Sequence, residues 1–352
     1  MILPAILGLM TLARAGEVPL DYCQNRGVVC VDLHLDTPTQ LYRKHVGFDG
    51  PGLEAGLAQL RAGRTNLAVE VLWPPQKADW EPYTTSLFDL LDKEAYRSGE
   101  FEMVRSPEAA VRAGMAGHIG YAVSLEGAHG IDKTGIEGLR RLHDRGLSLL
   151  GLTWSFSNRF AGSSGDKGGG LTTDGWQLVV EANRLGVVLD VSHASDQTTM
   201  DVCGWSHAPV IASHSDTDAL RLQARNLSDE AIRCIARTGG VIGLNLHREF
   251  VGGTKDIAAL ADHADHLRDI GGIGVVALGS DFDGLIQPID GIKDASGIPM
   301  LWDELRRRGW SDEDLRKAEG ENFMRAWQRT LDVGKALRGE RVDLPPTECC
   351  RI

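Results

Sequence analysis

The sequence predicts an α/β fold, a (β/α)8 barrel of the TIM type with additional C-terminal helices. Three observations predict it. Eight short apolar runs rich in Val, Ile and Leu recur along the 352 residues, and helix-patterned stretches fill most gaps between them. The runs lack polar alternation, as expected for parallel strands covered on both faces. Polar residues capable of chemistry sit where several runs end, and the C-terminal ends of the strands are where such barrels carry their active sites.

The elements follow in order. Val28–Leu33 is the first expected strand, and Leu53–Ala62 has helical spacing before the second, Asn66–Leu72. The interval Trp73–Ile119 is long enough to be a lid or pocket wall at the catalytic face. Gly120–Leu125 and the helix Ile136–Arg145, closed by Gly146, lead to Leu147–Thr153. A Gly-rich interval, Arg159–Thr173, is the second lid candidate. Helix Asp174–Leu185, ended by Gly186, precedes the strand Val187–Val191; helix Asp196–Cys203 precedes Pro209–Ser213. Helix Ser228–Thr238, ended by Gly239, then leads to Val241–Leu244, and helix Ile257–Ile270 to Val275–Gly279. Two more helices, Pro299–Gly309 and Ser311–Asp332, should cover the barrel, the second opened by Ser311 and Asp314 as a capping box. One barrel domain is therefore expected over residues 16–345, preceded by a candidate signal peptide at 1–15 and followed by a tail at 346–352.

Composition narrows the function. With 49 acidic against 37 basic residues, a net charge of −12 disfavours a polyanion-binding surface, so nucleic acid is not an expected partner. The 42% hydrophobic and 24% charged residues exclude a disordered chain, and no apolar run reaches the roughly 18–20 residues that span a bilayer. Met1–Leu12 is apolar and Ala13-Arg14-Ala15 has the form of a signal-peptidase site, which points to a periplasmic or secreted protein. No Lys or Arg precedes the apolar run, so a misassigned start or a buried N-terminal strand in a cytoplasmic protein is the alternative. The six cysteines, at 23, 30, 203, 234, 349 and 350, cannot be paired from sequence, and none forms a CxxC motif.

Six strand-end residues carry the chemistry: His34 and Asp36 in VDLHLDT, Glu126 in SLEGAHG, His193 in DVSHAS, His214 in IASHS and Asp281 in GSDFDG. Imidazole and carboxylate are the ligands zinc accepts. Two residues apart on a strand end, His34 and Asp36 point to one side and can chelate one ion. His193 and His214 end adjacent strands and can converge on a second, with Glu126 as the natural bridge. A lone HxD would more often be ordinary surface or hydrogen-bonding residues; the combination on one inferred barrel reads as a metallohydrolase.

These motifs resemble the membrane (renal) dipeptidase family, zinc peptidases of the metal-dependent amidohydrolase superfamily. The resemblance runs from Val31 to about Trp327 and rests on HLD at 34–36, LEGAHGID at 125–132, DVSHAS at 190–195, ASHS at 212–215, ARN at 224–226, GSDFDG at 279–284 and GENFMRAW at 320–327. It implies that His34 and Asp36 bind one zinc, that His193 and His214 bind the other, that Glu126 bridges the two, and that Asp281 is the proton shuttle. It also implies that Arg225 holds the carboxylate of a dipeptide substrate, a task suited to a guanidinium fork. Two zinc ions ionise a shared water near neutral pH, and the bridging hydroxide would attack the peptide carbonyl. The expected activity is cleavage of dipeptides with a free C-terminal carboxylate, L-Xaa-L-Xaa and, as the family tolerates, L-Xaa-D-Xaa. Asp283 competes with Asp281 for the proton role.

The chain departs from the family pattern in LTWSFSN, where Trp154 stands in place of a histidine that well-known members place against the substrate carbonyl. Trp154 could wall the pocket or donate one hydrogen bond but cannot act as an acid. A related amide, lactam or lactone hydrolase is therefore the alternative activity, and a catalytically silent, zinc-containing binder of peptide termini is the alternative outside the enzyme class. His129 could support the site from behind its ligands; a structural histidine is an equal reading, and His247 has no better claim. The tail PPTECCRI lacks the hydrophobic stretch of a GPI anchor. The chain does not fix whether it works as a homodimer.

Overall fold

The computed structural model of the protein describes residues 29–75, 79–166 and 168–340. The candidate signal peptide at 1–15 and the tail at 346–352 lie outside the described residues. Nine strands run in chain order among the described residues: β1 Val31–Leu35, β2 Leu67–Leu72, β3 Phe101–Met103, β4 Ile119–Leu125, β5 Leu147–Gly151, β6 Val188–Asp190, β7 Val210–Ile211, β8 Ile242–Leu244 and β9 Val276–Leu278. All pairings between them are parallel. A sheet ordered β1-β2-β4-β5-β6-β7 and a separate pair β8-β9 make up the barrel, while β3 sits on the early part of β4. Two bridges close the ring, Ala212 to Ile242 and Leu35 to Phe282. At the second seam Asp36 N–H donates to Phe282 O at 3.0 Å and Asp281 N–H to His34 O at 3.1 Å. The eight predicted strands are the eight barrel strands.

Side chains of the barrel lumen form one apolar cluster. Leu33, Val69, Ala122, Leu149, Val188, Ile211, Val241 and Ala277 pack with Phe323, Ala326 and Trp327 of the helix Asn322–Leu337, which closes the lumen. The opposite strand faces pack against the outer helices in a second, larger cluster. The single expected helix Ser311–Asp332 is broken instead into Asp312–Arg316, a π-turn Lys317–Glu321 and Asn322–Leu337. A Cβ on Gly320 would stand 1.7 Å from Val29 O, so this turn passes against the start of β1 only because residue 320 has no side chain. The Ser311–Asp314 capping box is present.

The interval Trp73–Ile119 folds into two helices, Trp80–Ser98 and Pro107–Met115, with β3 between them. Its three-residue strand was too short to read from sequence. Thr37–Lys44 is likewise a helix that apolar spacing did not reveal. Cys30 is disulfide-bonded, whereas Cys203 and Cys234 are free thiols.

One irregularity positions the site. In β1, Asp32 pairs with Ala68 but Leu35 with Glu70, so three steps on β1 match two on β2. Leu33 belongs to the lumen cluster and Leu35 to the layer under the helices. Side chains two apart should share a face. The extra residue reverses the alternation and turns His34 inward, a known use of β-bulges beside active sites.

Candidate metal centre

The six predicted residues converge at the C-terminal mouth of the barrel. His34 stands on β1, Asp36 occupies the N-cap position of the following helix without a side-chain capping bond, and Glu126 directly follows β4. His193 and His214 each lie three residues past β6 and β7, and Asp281 three past β9. Glu126 Oε1 is the focus: it lies 2.9 Å from His193 Nε2, 3.6 Å from His214 Nε2 and 3.7 Å from His34 Nε2. His34 Nε2 is also 3.6 Å from Asp36 Oδ2, and the two imidazoles of His193 and His214 meet at 3.2 Å between their Nε2 atoms. Asp281, His34 and Asp36 offer ligand atoms within 4.8 Å of one another, as do Glu126, His193 and His214. All six residues are buried.

Backbone strain accompanies this convergence. His193 (φ 66°), Asp281 (φ 65°) and Asp283 (φ 64°) all adopt the left-handed conformation, which non-glycine residues hold only where surrounding structure imposes it. Gly284 keeps space clear, since a Cβ there would stand 2.4 Å from Asp281 Oδ1 and 2.7 Å from Asp36 Oδ2.

The electrostatics describe a site built for cations. Burial draws the His34 pKa down, but Glu126, Asp36 and Asp281 outweigh it and raise it to about 10. Burial holds His193 and His214 well below the usual imidazole range, Arg225 and His34 adding to the effect. Burial likewise pushes Glu126 well above the carboxylate range and Asp281 up to about 7. Carboxylates thus crowd together with two neutral imidazoles, and a proton on His34 balances part of the charge. His34 Nε2 and Asp36 Oδ1 are buried with no hydrogen-bond partner among the described residues, an expensive arrangement unless another group completes it. Nitrogen and carboxylate donors in this arrangement fit metal ions.

The candidate proton carriers are separated by their partners. Asp283 accepts from Thr37 Oγ1 at 3.1 Å and from the backbone N–H groups of Glu54 at 2.9 Å and Ala55 at 3.2 Å. It is bound into the surrounding loops. Asp281 Oδ2 accepts from Asn245 Nδ2 at 3.0 Å, and the Asn245 amide is itself fixed because its Oδ1 accepts from His247 N–H at 2.7 Å.

A cavity of about 400 Å³ opens on this cluster, lined among others by Trp73, Trp154, Arg225, His247, Phe250 and Ile286. Arg225 donates to His214 O at 3.2 Å and lies over the Phe250 ring at 5.5 Å. Its Nε has no partner among the described residues. Trp154 makes an edge contact with Trp73 at 5.1 Å and stands 6.3 Å from the His193 ring. His129 lies behind this wall, its Nε2–H donating to Pro74 O at 2.9 Å. Sequence reading set His247 aside and missed Asn245 and Ser213. Asn245 stands one residue past β8, the same kind of strand-end position that revealed the candidate ligands, and that signal could have found it.

Comparison with known proteins accords with this geometry. Residues 25–341 match the family Membrane dipeptidase (Peptidase family M19). A solved metallo peptidase described as dipeptidase AC, of family M19, is 28% identical with a TM-score of 0.78, over 86% of this chain and 98% of that one. A metallo peptidase from Rhodobacter sphaeroides, solved with a phosphinate mimic of the dipeptide L-Ala-D-Ala, is 27% identical with a TM-score of 0.79, over 86% and 99%. The probable dipeptidase PvdM from Pseudomonas aeruginosa shares the fold at 23% identity and a TM-score of 0.82, over 89% and 98%.

Proposed function

The chain belongs to the membrane dipeptidase family, peptidase family M19, and on that premise we propose that it is a binuclear zinc dipeptidase acting on dipeptides with a free C-terminal carboxylate. The observation that carries the reading is the focus on Glu126 Oε1, with three imidazole nitrogens within 3.7 Å, in a cavity that also holds Arg225 and Asp281. His34 and Asp36 would hold one ion, His193 and His214 the other, with Glu126 shared between them. When bound, the ions supply Lewis acidity that polarises the carbonyl and lowers the pKa of a water.

The chain's own residues do the rest. Arg225 receives the substrate carboxylate as a bidentate partner and so fixes which carbonyl lies over the centre. Asp281, held through Oδ2 by Asn245, takes the proton of the attacking water and returns it to the departing amine. Trp73 and Trp154 wall the cavity and exclude water. The Rhodobacter relative's L-Ala-D-Ala mimic supports including L-Xaa-D-Xaa substrates.

Trp154 favours a second reading, a related amide, lactam or lactone hydrolase, because a hydrogen-bonding partner for the substrate carbonyl is replaced by an indole. The test is turnover of L,L- and L,D-dipeptides with free or amidated C-termini by zinc-loaded and chelator-stripped protein. Zinc-dependent cleavage of free acids alone is expected; no cleavage by protein holding two zinc ions would reject the dipeptidase reading.

A further inference from the structure

Beneath the six residues of the candidate metal site lies a hydroxyl that neither the sequence reading nor the mechanism uses. Ser213 is 1% exposed, and its neighbours His34, His214 and Asp190 are equally sealed from solvent, at 1%, 1% and 3%. Ser213 Oγ is 2.5 Å from Asp190 Oδ2, 2.8 Å from His214 Nδ1 and 3.2 Å from His34 Nδ1. Ser192 Oγ is more distant at 3.4 Å and already accepts the backbone N–H of His214 at 3.0 Å.

A serine hydroxyl has one proton and two lone pairs. The carboxylate oxygen of Asp190 can only accept, so at 2.5 Å it takes the Ser213 proton. Both lone pairs of Oγ are then left to the two imidazoles, and each interaction requires a proton on Nδ1. We propose that Ser213 is a positioning residue that sets the Nδ1–H tautomer of His34 and His214 together, presenting the Nε2 lone pair of one histidine to each half of the metal centre. The proposal rests on the two-ion reading of that centre. Asp190 orients the hydroxyl and is itself pinned by the N–H groups of Ser192 and Ser213, both at 2.9 Å on Oδ1. One hydroxyl thus serves both ions, whereas a ligand histidine ordinarily has an oxygen partner of its own.

The test compares wild-type protein with Ser213→Ala and Ser213→Thr by chelator competition for zinc, with thermal melts to verify folding. Ser213→Ala should weaken both zinc equivalents by about 10–100-fold, and Ser213→Thr, which keeps the hydroxyl, should recover most of that loss. Weakening of one equivalent only, or equal weakening in both variants, would overturn the proposal. Should Ser213→Ala not fold, ¹⁵N-histidine NMR of zinc-loaded wild-type protein decides: Nδ1–H on both imidazoles is expected, and Nε2–H on either overturns it. Wild-type protein that retains fewer than two zinc ions would instead overturn the two-ion reading itself.

Discussion

Replacing Glu70 by Leu is expected to stabilise the protein, by a margin that grows with pH. Glu70 sits on β2, paired in register with Leu35 and Val123, is 0% exposed, and has no hydrogen-bond partner for either carboxylate oxygen among the described residues. Burial raises its pKa well above the usual carboxylate range, and Asp283, Asp32 and Asp36 add to the rise. The sign of the linkage follows. Below the unfolded value, about 4.3, both states hold the proton and pH has no effect through this group. Above it the native state keeps the proton while the unfolded chain releases it, so stability falls by about 1.4 kcal/mol per pH unit until the folded value is reached. Burying an unpaired polar group adds a pH-independent loss of roughly 1–3 kcal/mol. Leu removes both at similar volume. Urea unfolding followed by tryptophan fluorescence, at fixed zinc concentration, should place the Leu variant above wild type at pH 5 and further above it at pH 6, by up to about 1.4 kcal/mol. Other raised acids, such as Asp32 at about 6, are common to both proteins and cancel. A less stable Leu variant, or a difference independent of pH, would refute the reasoning.

Four further outcomes are expected. Asp281→Asn should lower kcat by about 10²–10⁴ with zinc content unchanged, so retained turnover would remove Asp281 from its role. Arg225→Met should raise KM for free-acid dipeptides by roughly 10–100-fold, the loss of a charged hydrogen bond, with a much smaller change in kcat; a fall in kcat at unchanged KM would sink the clamp. Because metal-free His34 titrates near 10, it is protonated at pH 7, and zinc uptake must expel that proton. Calorimetry in buffers of differing ionisation enthalpy should register at least one proton released per chain, and zinc affinity should rise with pH toward 10; no release would contradict the His34 assignment. Trp154→His should raise dipeptide turnover relative to lactams and lactones, and an unchanged ratio would show that residue 154 does not set the substrate range.

Much of the architecture was legible because parallel strands buried on both faces leave unmistakable apolar runs. The candidate site residues were legible because most follow such a run, at Glu126, His193, His214 and Asp281. Where signals are short or non-local, reading failed. The three residues of β3 cannot be told from a loop, and Gly320 breaks a helix only because Val29 passes beside it. Ser213 looks like any buried serine until folding brings Asp190 and His34 to it. Asp283 matched Asp281 in sequence context, and only its bonds to Thr37, Glu54 and Ala55 separate the two.

The reversed alternation in β1 means that one side of the candidate metal site depends on strand register as well as on residue type. If β1 instead ran in regular register with β2, Leu33 would oppose Val69 and His34 would oppose Glu70, with every candidate ligand still present in the sequence. By local pairing alone such a regular strand is the better one. Yet His34 would then face the helices, and an apolar side chain would occupy the mouth of the barrel. Such a protein could fold and still match the family by its motifs while holding no metal on that side. For this chain the register of the first strand therefore bears on the site as much as residue identity does, and a search that scores identity alone would miss a change in it.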